Sequence, residues 1–319
     1  MFKPKIFILV IFAVVLLLPK ANTAQAREFI SIMTCGTAGT YYPLGGGIAR
    51  IWQTFVPGVN STAESSGCSV VNLRLMAKGE AQAAICQNDA VYFAHKGLLF
   101  FKEKAEKQSR GMNMLYDELL HVAVSKQSGI KKISDLKGKK VRLGTPGSIA
   151  VFNNKAVLNA FGLEEKNVVE SNMSLSDSFN AMKDGNLDAV IEFTGAPGAG
   201  FIDLTTTRDI VFLPVEEPYA KKINKEYPYM SQAVLKKGTY RGLEKDVPVM
   251  ALSCMLVVNE KLGKDLVYQM TKAFFEHLDV LRDTHAKGKE VSLVNALKGM
   301  PIPLHPGAEK YYREKGLIK

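Results

Sequence analysis

The sequence predicts an α/β protein folded as two lobes about a cleft, and three observations carry that prediction. Short apolar runs with strand character alternate with segments of helical spacing, the pattern of parallel βαβ units. Two strands open into small-residue loops that lead straight into helices, at residues 34–46 and 144–148. The chain also has two places to cross between lobes, a basic, turn-rich stretch at 125–137 and a long apolar run at 249–258.

Taken in order, residues 29–33 alternate as a first strand, residues 48–55 have helical spacing, and Pro57-Gly58 ends that helix. Trp52 is expected to pack one face of it. A second strand at 61–64 stops at Ser65-Ser-Gly-Cys-Ser69, and a helix over 70–78 closes at Gly79. Residues 81–86 read as a short buried strand, followed by Gln87-Asn-Asp89 and another helix. The mixed charges of 102–110 read as a solvated helix face. Strands follow at 119–125, 141–143, 189–192 and 211–214, and helices at 149–161, 175–183 and 218–229. After the 249–258 strand comes one long amphipathic helix over 262–283, with Leu266, Met270, Ala273, Phe274 and Leu278 on one face. Met112 and Met114 read as core filler.

The N-terminal 26 residues read as a secretory signal: Lys3 and Lys5, an unbroken apolar run at 6–18, then Ala24-Gln-Ala26. The run is short for a membrane span, so the expectation is an exported, periplasmic protein cleaved near Ala26. That leaves 293 residues, which suit two ordinary domains, and lowers the net charge from +10 to +7. The two crossings predict lobe I from 27–124 and 253–319, and lobe II from 125–252. A basic surface serves solubility, or helps an anionic ligand or acidic partner approach. No dense Lys/Arg block with interleaved aromatics occurs, so nucleic acid is not an expected partner.

Cys35, Cys68, Cys86 and Cys254 have no CxxC or zinc-ribbon spacing, and the histidines form no HExxH. Free buried thiols are the first reading and disulfides the alternative for an exported chain. Cys35, Cys68 and Cys86 all fall near strand ends, where converging thiolates would select copper or zinc. Cys68 is the one side chain an exported enzyme of this fold would offer as a nucleophile. No metal site, cofactor or catalytic set is expected.

Gly36, Thr37, Gly39 and Thr40 form a candidate anion cradle of N–H groups and hydroxyls, or an ordinary βα turn. Of Tyr41 and Tyr42, Tyr41 is assigned to the ligand and the other to the core. Ser66, Gly67 and Ser69 repeat the cradle or cap a helix, with Asn72 on the helix face that Ser69 presents. Gln87 and Asp89 are expected at the cleft floor, Gln87 as donor and acceptor and Asp89 as a helix cap. From the second lobe, Thr145, Gly147 and Ser148 repeat the device. Glu192, Thr194 and Gly195 end another strand; Glu192 favours an ammonium-bearing ligand or makes a structural salt bridge. Arg74 and Arg142 are candidate charge partners, and Arg142 either reaches a carboxylate or lies exposed on a sheet edge.

These pieces occur in the order seen in one family. Gly36-Thr-Ala-Gly-Thr-Tyr-Tyr-Pro-Leu-Gly-Gly46, Glu64-Ser-Ser-Gly-Cys-Ser69 with its continuation to 74, residues 79–89 and 133–141, Gly144-Thr-Pro-Gly-Ser148, and residues 183–189, 227–229, 238–242 and 305–313 together resemble the TAXI-type solute-binding proteins of TRAP transporters. The resemblance implies a type II periplasmic-binding-protein fold and no enzymatic turnover. It also implies a monomer that binds a small organic anion, a glutamate-like amino acid or a C4–C5 dicarboxylate, and delivers it to TRAP membrane permease subunits. Ala38 and Cys68 stand where that family often has smaller residues, next to the expected pocket.

Overall fold

A computed structural model describes residues 27–319; the expected signal segment lies outside the described residues. Three parallel strands, β1 (Glu28–Met33), β2 (Val59–Glu64) and β3 (Ala83–Gln87), alternate with α1 (Tyr41–Phe55), α2 (Ser69–Lys78) and α3 (Asn88–Lys96). The chain then runs through the long β4 (Ser109–Ser125) into a second βα series. This comprises β5 (Lys140–Gly144), α4 (Ile149–Ala160), β6 (Val169–Asn172), α5 (Leu175–Lys183), β7 (Ala189–Thr194), α6 (Ala199–Thr207), β8 (Ile210–Phe212), α7 (Glu217–Glu226) and β9 (Ser231–Leu235). The long β10 (Val247–Asn259) returns it to α8 (Lys264–Glu276), α9 (Leu278–Thr284) and α10 (Pro306–Glu314).

All the strands join one sheet in the order β2-β1-β3-β10-β4-β7-β5-β6, with β8 added to β4 and β9 to β10. The central pair, β4 and β10, runs antiparallel from Ser109↔Asn259 to Leu119↔Ala251. The apolar interior divides along this pair. One cluster draws on residues between Leu120 and Leu252. The others are built mainly from residues up to Tyr116 and from Cys254 onward. The chain therefore passes into the second core on β4 itself, before the basic stretch at 125–137 is reached.

Four local expectations are corrected. Residues 102–110 are not helical: a 3-10 turn at Leu99–Phe101 leads through irregular chain into β4 at Ser109. β4 itself is far longer than the 119–125 run, because its first half carries polar residues that interrupt the apolar pattern. Asn113 is buried and donates to Met114 O (3.0 Å). The long helix after β10 is broken at His277, whose backbone leaves helical geometry and whose ring stacks on Phe55. Finally, α1 begins at Tyr41 and runs through Gly45-Gly46-Gly47, well ahead of the expected start.

Gly45 and Gly47 of α1 serve close approach rather than a turn. A Cβ on Gly45 would lie 2.5 Å from Thr34 Cγ2, and one on Gly46 would meet nothing. Trp52 packs as expected: it is fully buried and donates from Nε1 to Met270 O (3.1 Å). Overpacking of this kind costs about 1–3 kcal/mol, whereas an exposed mid-helix Gly→Ala change gains roughly 0.5–1 kcal/mol. Gly45→Ala is therefore expected to lower the urea midpoint and Gly46→Ala to raise it. Equal responses would remove the close-approach account of α1.

Candidate functional site

A cavity of about 320 Å³ lies where the two cores meet, and strand ends build its walls. Because β1, β2 and β3 are parallel, the loops after them emerge at one edge of the sheet, where α/β folds place their ligands. From that side come the loop from Cys35 to Tyr41, the loop from Ser65 to Ser69, and Gln87. Across the gap, β5 and β7 bring Arg142, Thr145, Ser148, Glu192 and Thr194, and the turn after β6 adds Ser174 and Ser176.

Gly36, Gly39, Thr40 and Tyr41 line the cavity, as the sequence predicts, while Thr37 is exposed and does not. Thr40 is buried and its hydroxyl donates to Gly195 O (3.3 Å), so it joins the two sides. Ala38 O, next to it, accepts from Gly200 N (3.1 Å). Tyr42 is exposed and not a core residue, contrary to expectation.

The second cradle is real in position but self-occupied. Ser66, Gly67 and Ser69 line the cavity. Ser66 Oγ donates to Thr34 O (2.8 Å) and accepts from Cys68 N (3.1 Å), and Ser69 Oγ accepts from Gln87 N (3.0 Å). Asn72 is off the cavity. It is fully buried, and its Nδ2 donates to Thr34 O (2.8 Å) and Ile85 O (3.1 Å), tying the end of β1 to β3. A polar residue three positions past a cap thus serves backbone carbonyls left open where strands diverge.

Gln87 lines the cavity, but Asp89 faces a separate groove. Asp89 is buried and accepts from Ala90 N (2.7 Å) and from Asn153 Nδ2 (2.8 Å) of α4. Burial lifts its carboxyl to about 6, against the lowering effect of those bonds. On the far wall Thr145 and Ser148 line the cavity, and Ser148 Oγ is buried without a partner. Gly147 is off the cavity; its φ of +76° makes the turn that presents its neighbours. Thr194 lines the cavity; Gly195 sits behind, where a Cβ would fall 2.7 Å from Thr40 Oγ1.

Arg142 does not lie exposed on a sheet edge; it lines the cavity. It is 3% exposed, on a strand flanked by β6 and β7, and its guanidinium pairs with Glu192 and donates to Ile191 O (3.2 Å). Burial lowers its pKa to about 10, which leaves it charged at neutral pH. Glu192 thus realises the salt-bridge alternative while still lining the cavity. Arg74 is remote and caps Phe100 O (3.1 Å).

Sequence reasoning missed Glu118. It lies on β4, lines the cavity, is 3% exposed, and accepts from Gln87 Nε2 at 2.7 Å. Burial raises its pKa to about 8, with Gln87 and the Tyr41 hydroxyl acting in the opposite direction. Two adjacent acids, Asp117 and Glu118, in a run that also holds Asn113 and His121 give no periodic signal. His121 is equally buried. Its Nδ1–H donates to Leu119 O (2.8 Å), and its Nε2 accepts from the Tyr240 hydroxyl (2.9 Å), which in turn accepts from Gly198 N (2.9 Å). That chain of bonds fixes the loop after β7 to the central strand.

Cys35 and Cys68 form a disulfide joining the two cradle loops (Cα–Cα 4.4 Å), so the first reading of free thiols is corrected for this pair. With Cys68 bonded, its reading as a nucleophile fails, and the proposed set of three converging thiolates does not exist. Cys86 and Cys254 are free and buried. Among the described residues no group of three or more His, Cys, Asp or Glu is placed to hold a metal.

The fold is that of periplasmic substrate-binding proteins. The chain superposes on the alkanesulfonate-binding protein SsuA of Xanthomonas axonopodis pv. citri, bound to MOPS, with a TM-score of 0.50 at 14% identity, covering 91% of this chain and 85% of that one. A solved structure described as a periplasmic transporter matches with a TM-score of 0.55 at 11% identity, covering 91% and 93%. Residues 32–316 match the NMT1-like family, and the chain belongs to it.

Two outcomes follow for the site. The bridge closes a span of 33 residues, and the chain-entropy relation assigns such a link about 4 kcal/mol; the Cys35→Ser/Cys68→Ser double variant is expected to lose stability of that order in urea denaturation. Glu118→Gln is expected to gain stability over the wild type as pH rises. A folded pKa raised from the usual carboxylate range to about 8 gives stability that is fully present below the unfolded pKa. It is lost as pH rises towards the folded value, and the amide has no charge to bury. Parallel stability curves at about pH 5 and about pH 8 would show that Glu118 is not a buried acid.

Proposed function

We propose that the protein is an extracytoplasmic solute receptor without enzymatic turnover. In this reading the two lobes are those expected from the sequence, 27–124 with 253–319 and 125–252, except that residues 120–124 pack with the second core, and β4 and β10 serve as the hinge on which they close. The observation that carries the reading is the cavity itself: about 320 Å³, the size of a small metabolite site, walled by strand-end loops of both cores. Neutral donors dominate it: the loop around Gly36 and Gly39, the hydroxyls of Thr145 and Ser176, and the unpartnered Ser148 hydroxyl. Such donors suit a carboxylate held in a water-poor site.

The finer reading is a small organic acid, a glutamate-like amino acid or a C4–C5 dicarboxylate, handed to a membrane permease of the TRAP kind. The ordered motif series shared with TAXI-type receptors supports it. Export to the periplasm follows from the N-terminal signal pattern. The enzyme alternative has lost its one nucleophile to the Cys35–Cys68 bridge.

Ligand binding to the folded state alone raises apparent stability, by about 2.7 kcal/mol at a hundredfold excess over Kd. Protein stripped of carried-over solute is expected to gain melting temperature with at least one C4–C5 acid in a thermal-shift screen of amino acids, oxoacids and dicarboxylates. Thr145→Ala combined with Ser148→Ala is expected to abolish that gain. A flat response across the screen contradicts the receptor reading for this solute class.

A further inference from the structure

Three of the described residues lining the cavity have ionisable acid or base side chains, and they are unequal. Arg142 and Glu192 neutralise each other, and the guanidinium also spends donors on Ile191 O and Met173 O. Glu118 has no such partner. Among the described residues no cation forms an ion pair with it, and its one hydrogen-bonded neighbour is the neutral Gln87 (2.7 Å). The titratable groups around it offer little help. Tyr41 faces it from α1, Cys86 from β3, Asp89 from α3 and Cys254 from β10, with Tyr116 on its own strand. Lys287, from the turn after α9, is the one cation whose field reaches it, and that ammonium is paired with Glu290 (2.6 Å).

A dianion entering this cavity would find no unpaired cation among the described lining residues. A group with N–H donors and a positive charge would find a buried acceptor in a medium where the attraction is weakly screened. Neutral donors elsewhere on the walls would still take a carboxylate. We propose that Glu118 anchors an ammonium group of the solute, so that the receptor's ligand is an amine-bearing acid rather than a simple dicarboxylate; this rests on the receptor reading above. The event balances as a proton exchange. The empty site holds Glu118 as the neutral acid, the entering ammonium requires the carboxylate, and one proton leaves to solvent.

The test is calorimetry on solute-stripped protein with two matched pairs, L-glutamate against glutarate and L-leucine against 4-methylpentanoate. In at least one pair the amine-bearing member is expected to bind about tenfold or more tighter. Its affinity is expected to climb by up to about tenfold per pH unit from about pH 6.5 towards about pH 8, with close to one proton released in buffers of differing ionisation heat. Glu118→Gln is expected to erase the preference for the amine-bearing member and the proton release that accompanies its binding. The wild-type proton release stands as an independent readout if that variant folds poorly. Amine-free acids that bind as well as their partners, or binding without proton release, overturn the proposal and leave the receptor reading standing. Four acids that all fail to bind overturn the small-acid receptor reading, and the proposal with it.

Discussion

The pairing of β4 with β10 is the constraint on which the rest depends. Both strands carry residues of both cores, and they meet as one antiparallel ladder through the middle of the sheet. Every cavity wall is placed relative to them. β3 pairs with β10 and β7 with β4, so the loop ends of the two βα series are set face to face across the same pair. Glu118 sits on that pair where the cores change over, and His121 fastens the loop after β7 to it through Tyr240.

Close approach of the two sides then requires small residues. Thr40 against Thr194 and Gly195, and Ala38 against Gly200, bring backbone within hydrogen-bonding reach on one flank of the cavity. Asn153 reaching Asp89 does the same on another. The disulfide between Cys35 and Cys68 holds the two loops of one wall to each other rather than to the opposite wall. Aromatic packing of Phe93 against Phe152 and Tyr229 joins the two sides as well.

Stability and recognition pull against each other at Glu118. A carboxyl buried with a single neutral hydrogen-bond partner is costly to ionise, and a fold selected only for stability would replace it. The opposite solution is seen at Arg142, whose charge is matched by Glu192 and backbone carbonyls and adds little net charge to the cavity. The one charge left unmatched inside the cavity is therefore the one on which ligand discrimination is expected to act.

How much of this was legible in the chain can be argued from particular residues. Alternating βα patterns and small-residue loops located the strands β1, β3, β5 and β7 and the loops at 36–41, 65–69 and 144–148, because period and turn chemistry are local properties of a sequence. The use of each side chain was not local. Asn72, Ser66 and Ser69 read as ligand groups, yet they satisfy carbonyls and amides exposed where strands separate. Arg142 read as a sheet-edge or ligand residue until β6 and β7 covered it on both sides. Glu118 carried no signal, since its significance comes from Gln87 and Tyr41 reaching it from far along the chain. The sequence by itself determined the fold class and which loops face the cleft, because backbone periodicity and glycine placement are written residue by residue. The tertiary structure alone decided which cysteines bond and which charges are paired, because pairing and burial depend on distances that no spacing along the chain encodes.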